Sequence, residues 1–306
     1  MRVTTIRATT DIFHKSNSEQ QLFPAAALRI CDHHLHSSNI IPRVGCHPDD
    51  TGTSNNIYEH AWFCVSQAVQ CYNAQTRTTP PLLNRVLNGD DECHCDVWVD
   101  KDSIGKSSIQ FGGAISIGRD VLAVVRRVFV RMADPVGGAE EQELKSAPFS
   151  DTEKQAFVSR FGFEALDIGE NYESSDAKKI KDLIEVKRPD LQSTRLKTII
   201  NGLEASPTPE EASKTRVVVG PQNINFGNHA DHAFLAETSF HALSTSANFP
   251  GSYLSVQYLA EVYLGDVLES YAYGDNMRDD DAASVILVAS RKTTGERKAV
   301  LIAEWN

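Results

Sequence analysis

One pattern occurs twice along this 306-residue chain, and it narrows the folds open to it. The segment Ile57–Tyr72, IYEHAWFCVSQAVQCY, carries apolar residues on several faces and reads as a buried helix. Three strand-like segments follow it: CHCDVWVD, SSIQFGGAISI and VLAVVRRVFVRM. Turns at Lys101–Gly105 and Gly118–Asp120 separate them. The pattern returns near the C-terminus. TRVVVGPQNINF begins as a strand, residues 230–245 read as a helix, and YLSVQYLAEVYLGDVLESYAYG reads as strand, Gly265-Asp266 turn, strand. ASVILVASRK and KAVLIAEW complete it, joined by Thr294-Gly295-Glu296. A sheet face needs cover, and one long helix across each sheet supplies it. The expected class is α+β, with two antiparallel sheets that each wrap a long central helix, related by internal duplication. The copies overlay when GTSNNIYEHAWF is laid on GNHADHAFLAET.

The expected organisation is an N-terminal unit over 1–133, a linker over 134–212 and a C-terminal unit over 213–306. RVTTIRATTDIF reads as a strand, while FPAAALRICDHHLH reads equally as strand or short helix. The linker is polar. DAKKIKDLIEVK and RLKTIINGLE suggest short charged helices in it, and ASPTPEEASK a loop.

Hydrophobic residues make up 41% of the chain, and no apolar run approaches the roughly 20 residues of a membrane span. The N-terminus lacks a signal peptide's apolar centre, so a cytoplasmic location is expected. The net charge of -11, from 41 acids against 30 bases, argues against nucleic acid or an anionic membrane as partner. Arg126, Arg127 and Arg131 are candidates for a local basic patch. All six cysteines fall between Cys31 and Cys95. Cys93-His94-Cys95, with Cys46 and His47, suggests zinc, but the spacing is not that of paired zinc ligands. Alternating strand positions with free buried thiols are the better reading.

The chemistry concentrates in Asn223–His241, NINFGNHADHAFLAETSFH, with three histidines, two acids and a Gly227-Asn228-His229 turn feeding a helix. This segment resembles the active-site segment of hot-dog acyl thioesterases, closest to the acyl-ACP thioesterase and 4-hydroxybenzoyl-CoA-thioesterase-like group. In that group an Asp, a Gly-His or Asn-x-His turn, Val-Asn-Asn, a Tyr and an acid follow one another. His229 matches the turn histidine, Ala230-Asp231-His232 stand at the Val-Asn-Asn triplet, Leu235 at the Tyr, and Glu237 at the acid. YLAEVYLGDVLES and the final hairpin with its terminal Trp305 carry the likeness onward. Two positions depart from it: Asn225 stands for the Asp, and Gly227 for the Asn. The resemblance implies a tandem hot-dog protein with one site, built mainly by the second half.

It also implies hydrolysis of an acyl thioester on CoA or acyl carrier protein, with no metal or organic cofactor, and a homodimer formed through the sheets. His229 is expected to orient water or protonate the leaving thiolate, Glu237 to activate water, and Asn225 to hold water or the carbonyl. If His229 and Glu237 both lie on the helix, they share a face. Asn228 and Asp231 are expected to contact substrate, although Asp231 equally suits a first helical turn. Backbone N–H groups over Ala230–His232 are oxyanion-hole candidates. Trp62, Phe63, Phe234, Phe240 and Phe249 are the candidates for an acyl tunnel, with core packing as their other reading. Two rivals remain open: a hydratase or dehydratase of the same fold, and a non-catalytic acyl-binding protein.

Overall fold

The computed structural model describes residues 2–6, 27, 28, 31, 60–71, 93–117, 120–133, 146–161, 194–205, 215–224, 229–243, 253–273 and 283–305. The β-branched and aromatic segments picked out above form strands: β1 (Arg2–Ile6), β3 (Cys93–Ile104), β4 (Ser108–Ile117) and β5 (Asp120–Ala133). In the second half they form β6 (Thr215–Val218), β7 (Tyr253–Tyr258), β8 (Val267–Tyr273), β9 (Ala283–Ser290) and β10 (Arg297–Trp305). The segment expected as the first helix is instead strand β2 (His60–Cys71). It pairs with β5 on one side, from His60↔Ala133 to Cys71↔Ala123, and with β7 on the other, from Ser66↔Gln257 to Gln70↔Tyr253. Its strand partners come from distant segments of the chain, a pairing that local periodicity does not register.

All ten strands form one antiparallel sheet in the order β1-β3-β4-β5-β2-β7-β10-β9-β8-β6. Each half therefore has the same order read outward from the β2–β7 seam: β2-β5-β4-β3-β1 in one, β7-β10-β9-β8-β6 in the other. Matched by strand order, the overlay of the two halves shifts. The second half's inner helix, α3 (His232–His241), lies between β6 and β7 in the chain. The same place in the first half is between β1 and β2. There Ala27, Leu28 and Cys31 are helical and buried. Laying Trp62 on Glu237 is thereby overturned, because Trp62 is a strand residue opposite Arg131.

Apolar side chains of the inner sheet face and of α3 form one core that runs across both halves, including Val97, Phe111, Val125, Val69, Leu254 and Leu301. Trp305 closes it. The indole is fully buried, tilts against Phe240 with centroids 5.0 Å apart, and donates from Nε1 to the Ser239 hydroxyl at 3.1 Å. The Gly112-Gly113 pair inside β4 has a steric cause. A Cβ on Gly112 would come within 2.3 Å of the Trp98 ring, and the Cys31 thiol lies over Gly113.

In the linker, α2 (Thr194–Ala205) is helical as expected from RLKTIINGLE, and a further helix, α1 (Asp151–Phe161), precedes it; DAKKIKDLIEVK lies outside the described residues. Helix α2 covers the outer face of the second half, where Leu203 packs with Tyr271, Ile286, Val288, Ala299 and Ile302. A bulge at Ala299/Leu301 turns the Ala299 N–H outward to the Glu204 carboxylate at 2.8 Å, and the Arg297 guanidinium binds the Leu203 carbonyl at 3.2 Å. Leu203→Ala is expected to cost about 2–5 kcal/mol, since the side chain is fully buried. Denaturant titration measures it; a cost below about 0.5 kcal/mol would show α2 to be only loosely applied. No helix among the described residues is long and apolar enough to cross a membrane. Cys31, Cys64, Cys71 and Cys95 are buried free thiols, and burial pushes the Cys71 thiol far up.

Candidate active site

Asp231 decides where α3 begins. Its backbone is extended (φ -60°, ψ 135°), and its carboxylate accepts from the N–H groups of Ala233 at 2.7 Å and Phe234 at 3.1 Å. This is an N-cap, and it occupies a side chain expected to meet substrate. His229 therefore precedes the helix. The expectation that His229 and Glu237 share a helical face does not hold, because the chain is extended at His229, where it bridges to Tyr263. Glu237 lies half-buried on α3.

The segment before the helix is held by the backbone. The N–H of Ala230 donates to the Val262 carbonyl at 2.8 Å, and that of Asp231 to the Asn223 carbonyl at 2.7 Å. Two of the three expected oxyanion donors are thus engaged within the chain. The third, on His232, opens the helix at its first position. There the helix macrodipole favours negative charge. The His232 ring rests on Tyr258, centroids 4.6 Å apart, and the Tyr258 hydroxyl donates to the His232 carbonyl at 3.3 Å.

The bridge to Tyr263 brings His229 to a carboxylate that the sequence reading overlooked. Nδ1 of His229 lies 3.6 Å from a carboxylate oxygen of Glu261. That nitrogen is shut off from solvent while the side chain keeps 29% exposure, so the ring presents its other edge outward. The Tyr263 ring lies 5.2 Å from the imidazole, and the Phe63 ring of β2 stands edge-on at 6.1 Å. Tyr263 donates its hydroxyl to Glu261. Burial, this hydrogen bond and the Glu261 charge push the phenol up to about 12, so it remains a donor at neutral pH. A lone acid in the apolar run Tyr258–Leu264, just before a Gly-Asp turn, was the available signal for Glu261.

A second charged pair braces this loop from beneath. The buried Asp266 carboxylate accepts from Arg291 Nη1 at 2.5 Å, from the Tyr263 N–H at 3.0 Å and from the Lys292 N–H at 3.2 Å. Arg291 also donates to the Glu261 carbonyl at 2.7 Å and lies over the Tyr263 ring, 5.0 Å from its centroid. Gly265 makes the turn at φ 86°, a left-handed conformation that glycine adopts without a Cβ clash.

Of the remaining expected residues, Asn225 and Asn228 lie outside the described residues, as does Phe249. Trp62 lies on β2, and Phe234 and Phe240 are half-buried against the shared core.

No family model matches the chain, and no curated protein matches it. Solved structures do. An acyl-ACP thioesterase from Bacteroides thetaiotaomicron is 10% identical and aligns over 95% of this chain and 91% of its own, with a TM-score of 0.54. The 12:0-ACP thioesterase from Umbellularia californica is 12% identical over 100% and 96%, with a TM-score of 0.56. The fold is hot-dog-like. At these identities the likeness bears on fold, and any activity has to be argued from the site.

Proposed function

We propose that the chain is a tandem hot-dog enzyme that hydrolyses an acyl thioester carried on the phosphopantetheine arm of CoA or an acyl carrier protein. The observation that carries this reading is the His229–Glu261 pair beside the start of α3. Water attacks the thioester carbonyl carbon as the imidazole, through the edge turned from Glu261, takes its proton. The Glu261 carboxylate holds the imidazolium, as a carboxylate does for a catalytic histidine. The His232 N–H receives the developing oxyanion. Collapse breaks the C–S bond, and the imidazolium returns its proton to the leaving thiolate, so free acid and free thiol result. Asn225 and Asn228 precede His229 in the chain and are proposed to hold the water and the substrate. Glu237 is the second candidate carboxylate for activating water. Trp62 and Phe234 are proposed to line the acyl path.

The two fused halves already join along β2 and β7, so a dimer would need another surface. Thiol release from short, medium, long and aromatic acyl-CoA and acyl-ACP substrates tests the reading and separates the carriers. In the same assay Glu261→Gln is expected to lower kcat by about 10²-fold while Glu237→Gln shows whether a second carboxylate takes part. Silence of the wild type across the whole panel would refute hydrolysis. Enoyl or hydroxyacyl products without thiol would mark a hydratase or dehydratase.

A further inference from the structure

Tyr263 is 40% exposed, so core packing does not account for a large aromatic ring at this place. Its contacts are with charged and polar groups. Along Glu261–Tyr263 the chain alternates. Val262 is 1% exposed and turns into the core, which leaves the Glu261 and Tyr263 side chains together on the other side. The Tyr263 hydroxyl donates to Glu261 Oε2, and this is the same oxygen that lies 3.6 Å from His229 Nδ1. A carboxylate oxygen offers two lone pairs, so one oxygen can serve both neighbours.

Of the two partners, the phenol is the better fixed. The Tyr263 N–H donates to the Asp266 carboxylate at 3.0 Å, its backbone bridges His229, and the Arg291 guanidinium lies 5.0 Å from its ring centroid. The Glu261 side chain is 28% exposed, and Arg291 holds only its backbone carbonyl, at 2.7 Å. A glutamate has several soft torsions, so a partly exposed carboxylate disperses among rotamers unless a neighbour holds it. A phenol carries one hydrogen, and here it is directed to Glu261, so none is left for an oxyanion. Burial first, and then Glu261, push the phenol up to about 12, so that hydrogen stays in place through neutral pH.

Resting on the hydrolytic reading proposed above, we infer that Tyr263 is a positioning residue: its hydroxyl holds Glu261 Oε2 against His229 Nδ1, which keeps the ring's hydrogen on Nδ1 and leaves Nε2 bare to take the proton of water. In a neutral imidazole the nitrogen that faces an acceptor carries the hydrogen. Tyr263 thus acts on the chemistry through Glu261, without touching substrate.

Tyr263→Phe removes one hydroxyl and keeps the ring beside Arg291 and the imidazole, so the fold should stand. In thiol release by the intact protein it is expected to lower kcat by about tenfold with KM unchanged within about twofold, the loss of one hydrogen bond to a partly exposed charge. The same substitution made in Glu261→Ala should cost less than about twofold, since the carboxylate it acts through is gone. A loss of equal size in both backgrounds, a change confined to KM, or kcat kept within about twofold in the single variant overturns the inference. A second readout needs no substrate. Spectra of protein labelled with ¹⁵N-histidine, taken above the usual imidazole range, are expected to show the His229 ring mainly as Nδ1–H. Its signals are identified by their absence in His229→Ala. Tyr263→Phe should about double the Nε2–H share, because the acceptor facing Nδ1 is no longer held. If no thioester is hydrolysed, the hydrolytic reading fails. The spectra still decide the part played by Tyr263, since a shifted tautomer upholds it and an unchanged one overturns it.

Discussion

Replacing His229 with alanine is expected to lower kcat for thioester hydrolysis by about 10²–10⁴-fold with a much smaller change in KM. The expectation follows from how the ring is held. Its Nδ1 faces Glu261 at 3.6 Å and is closed to solvent, which leaves the opposite edge to exchange protons with water and leaving thiolate. The backbone bridge to Tyr263 and the flanking Phe63 and Tyr263 rings restrict the imidazole to this pose. An effect concentrated in kcat separates a proton-transfer group from a wall of the binding pocket, whose loss would raise KM instead. Steady-state thiol release under saturating substrate measures it, with thermal unfolding alongside. The side chain is 29% exposed, so the variant should stay folded. Retention of kcat within about threefold would remove His229 from the chemistry and return attention to Glu237.

How far the sequence foretold this arrangement depends on the range of the interactions involved. Strands β8, β9 and β10 and the turns at Gly265 and Gly295 were legible because turn chemistry is local: both glycines sit at positive φ, where glycine is expected. The N-cap role of Asp231 was also legible as the alternative reading of an acid at a first helical turn. Strand β2 was misread for a physical reason. Its identity as a strand is set by partners on both sides, β5 and β7, and β7 comes from the far half of the chain. The same limit hid Glu261. His229 was visible as the histidine of a motif, but its carboxylate partner depends on a bridge between two segments that lie in separate elements. The motif resemblance points instead to the acid eight residues after His229, Glu237.

Asp266→Ala should destabilise the protein by about 3–5 kcal/mol, the usual penalty for removing one partner of a buried ion pair. Asp266 is 3% exposed, and three donors converge on its carboxylate: Arg291, the Tyr263 N–H and the Lys292 N–H. Alanine strands the guanidinium, whose side chain is only 16% exposed, and leaves both N–H groups without their acceptor. Asp266→Asn keeps an acceptor for the backbone and removes the charge, so it should cost less than alanine. The loss should also reach the active site, because Arg291 holds the Glu261 carbonyl and underlies the Tyr263 ring. At temperatures where Asp266→Ala is still fully folded, kcat is therefore expected to fall although Asp266 does not face substrate. Urea denaturation of Asp266→Ala, Arg291→Met and the double variant separates the pair from its surroundings. A coupling energy of about 1–3 kcal/mol is expected between them. Strict additivity would mean that the two side chains stabilise the loop independently, Arg291 through the Glu261 carbonyl and Asp266 through the Tyr263 and Lys292 N–H groups.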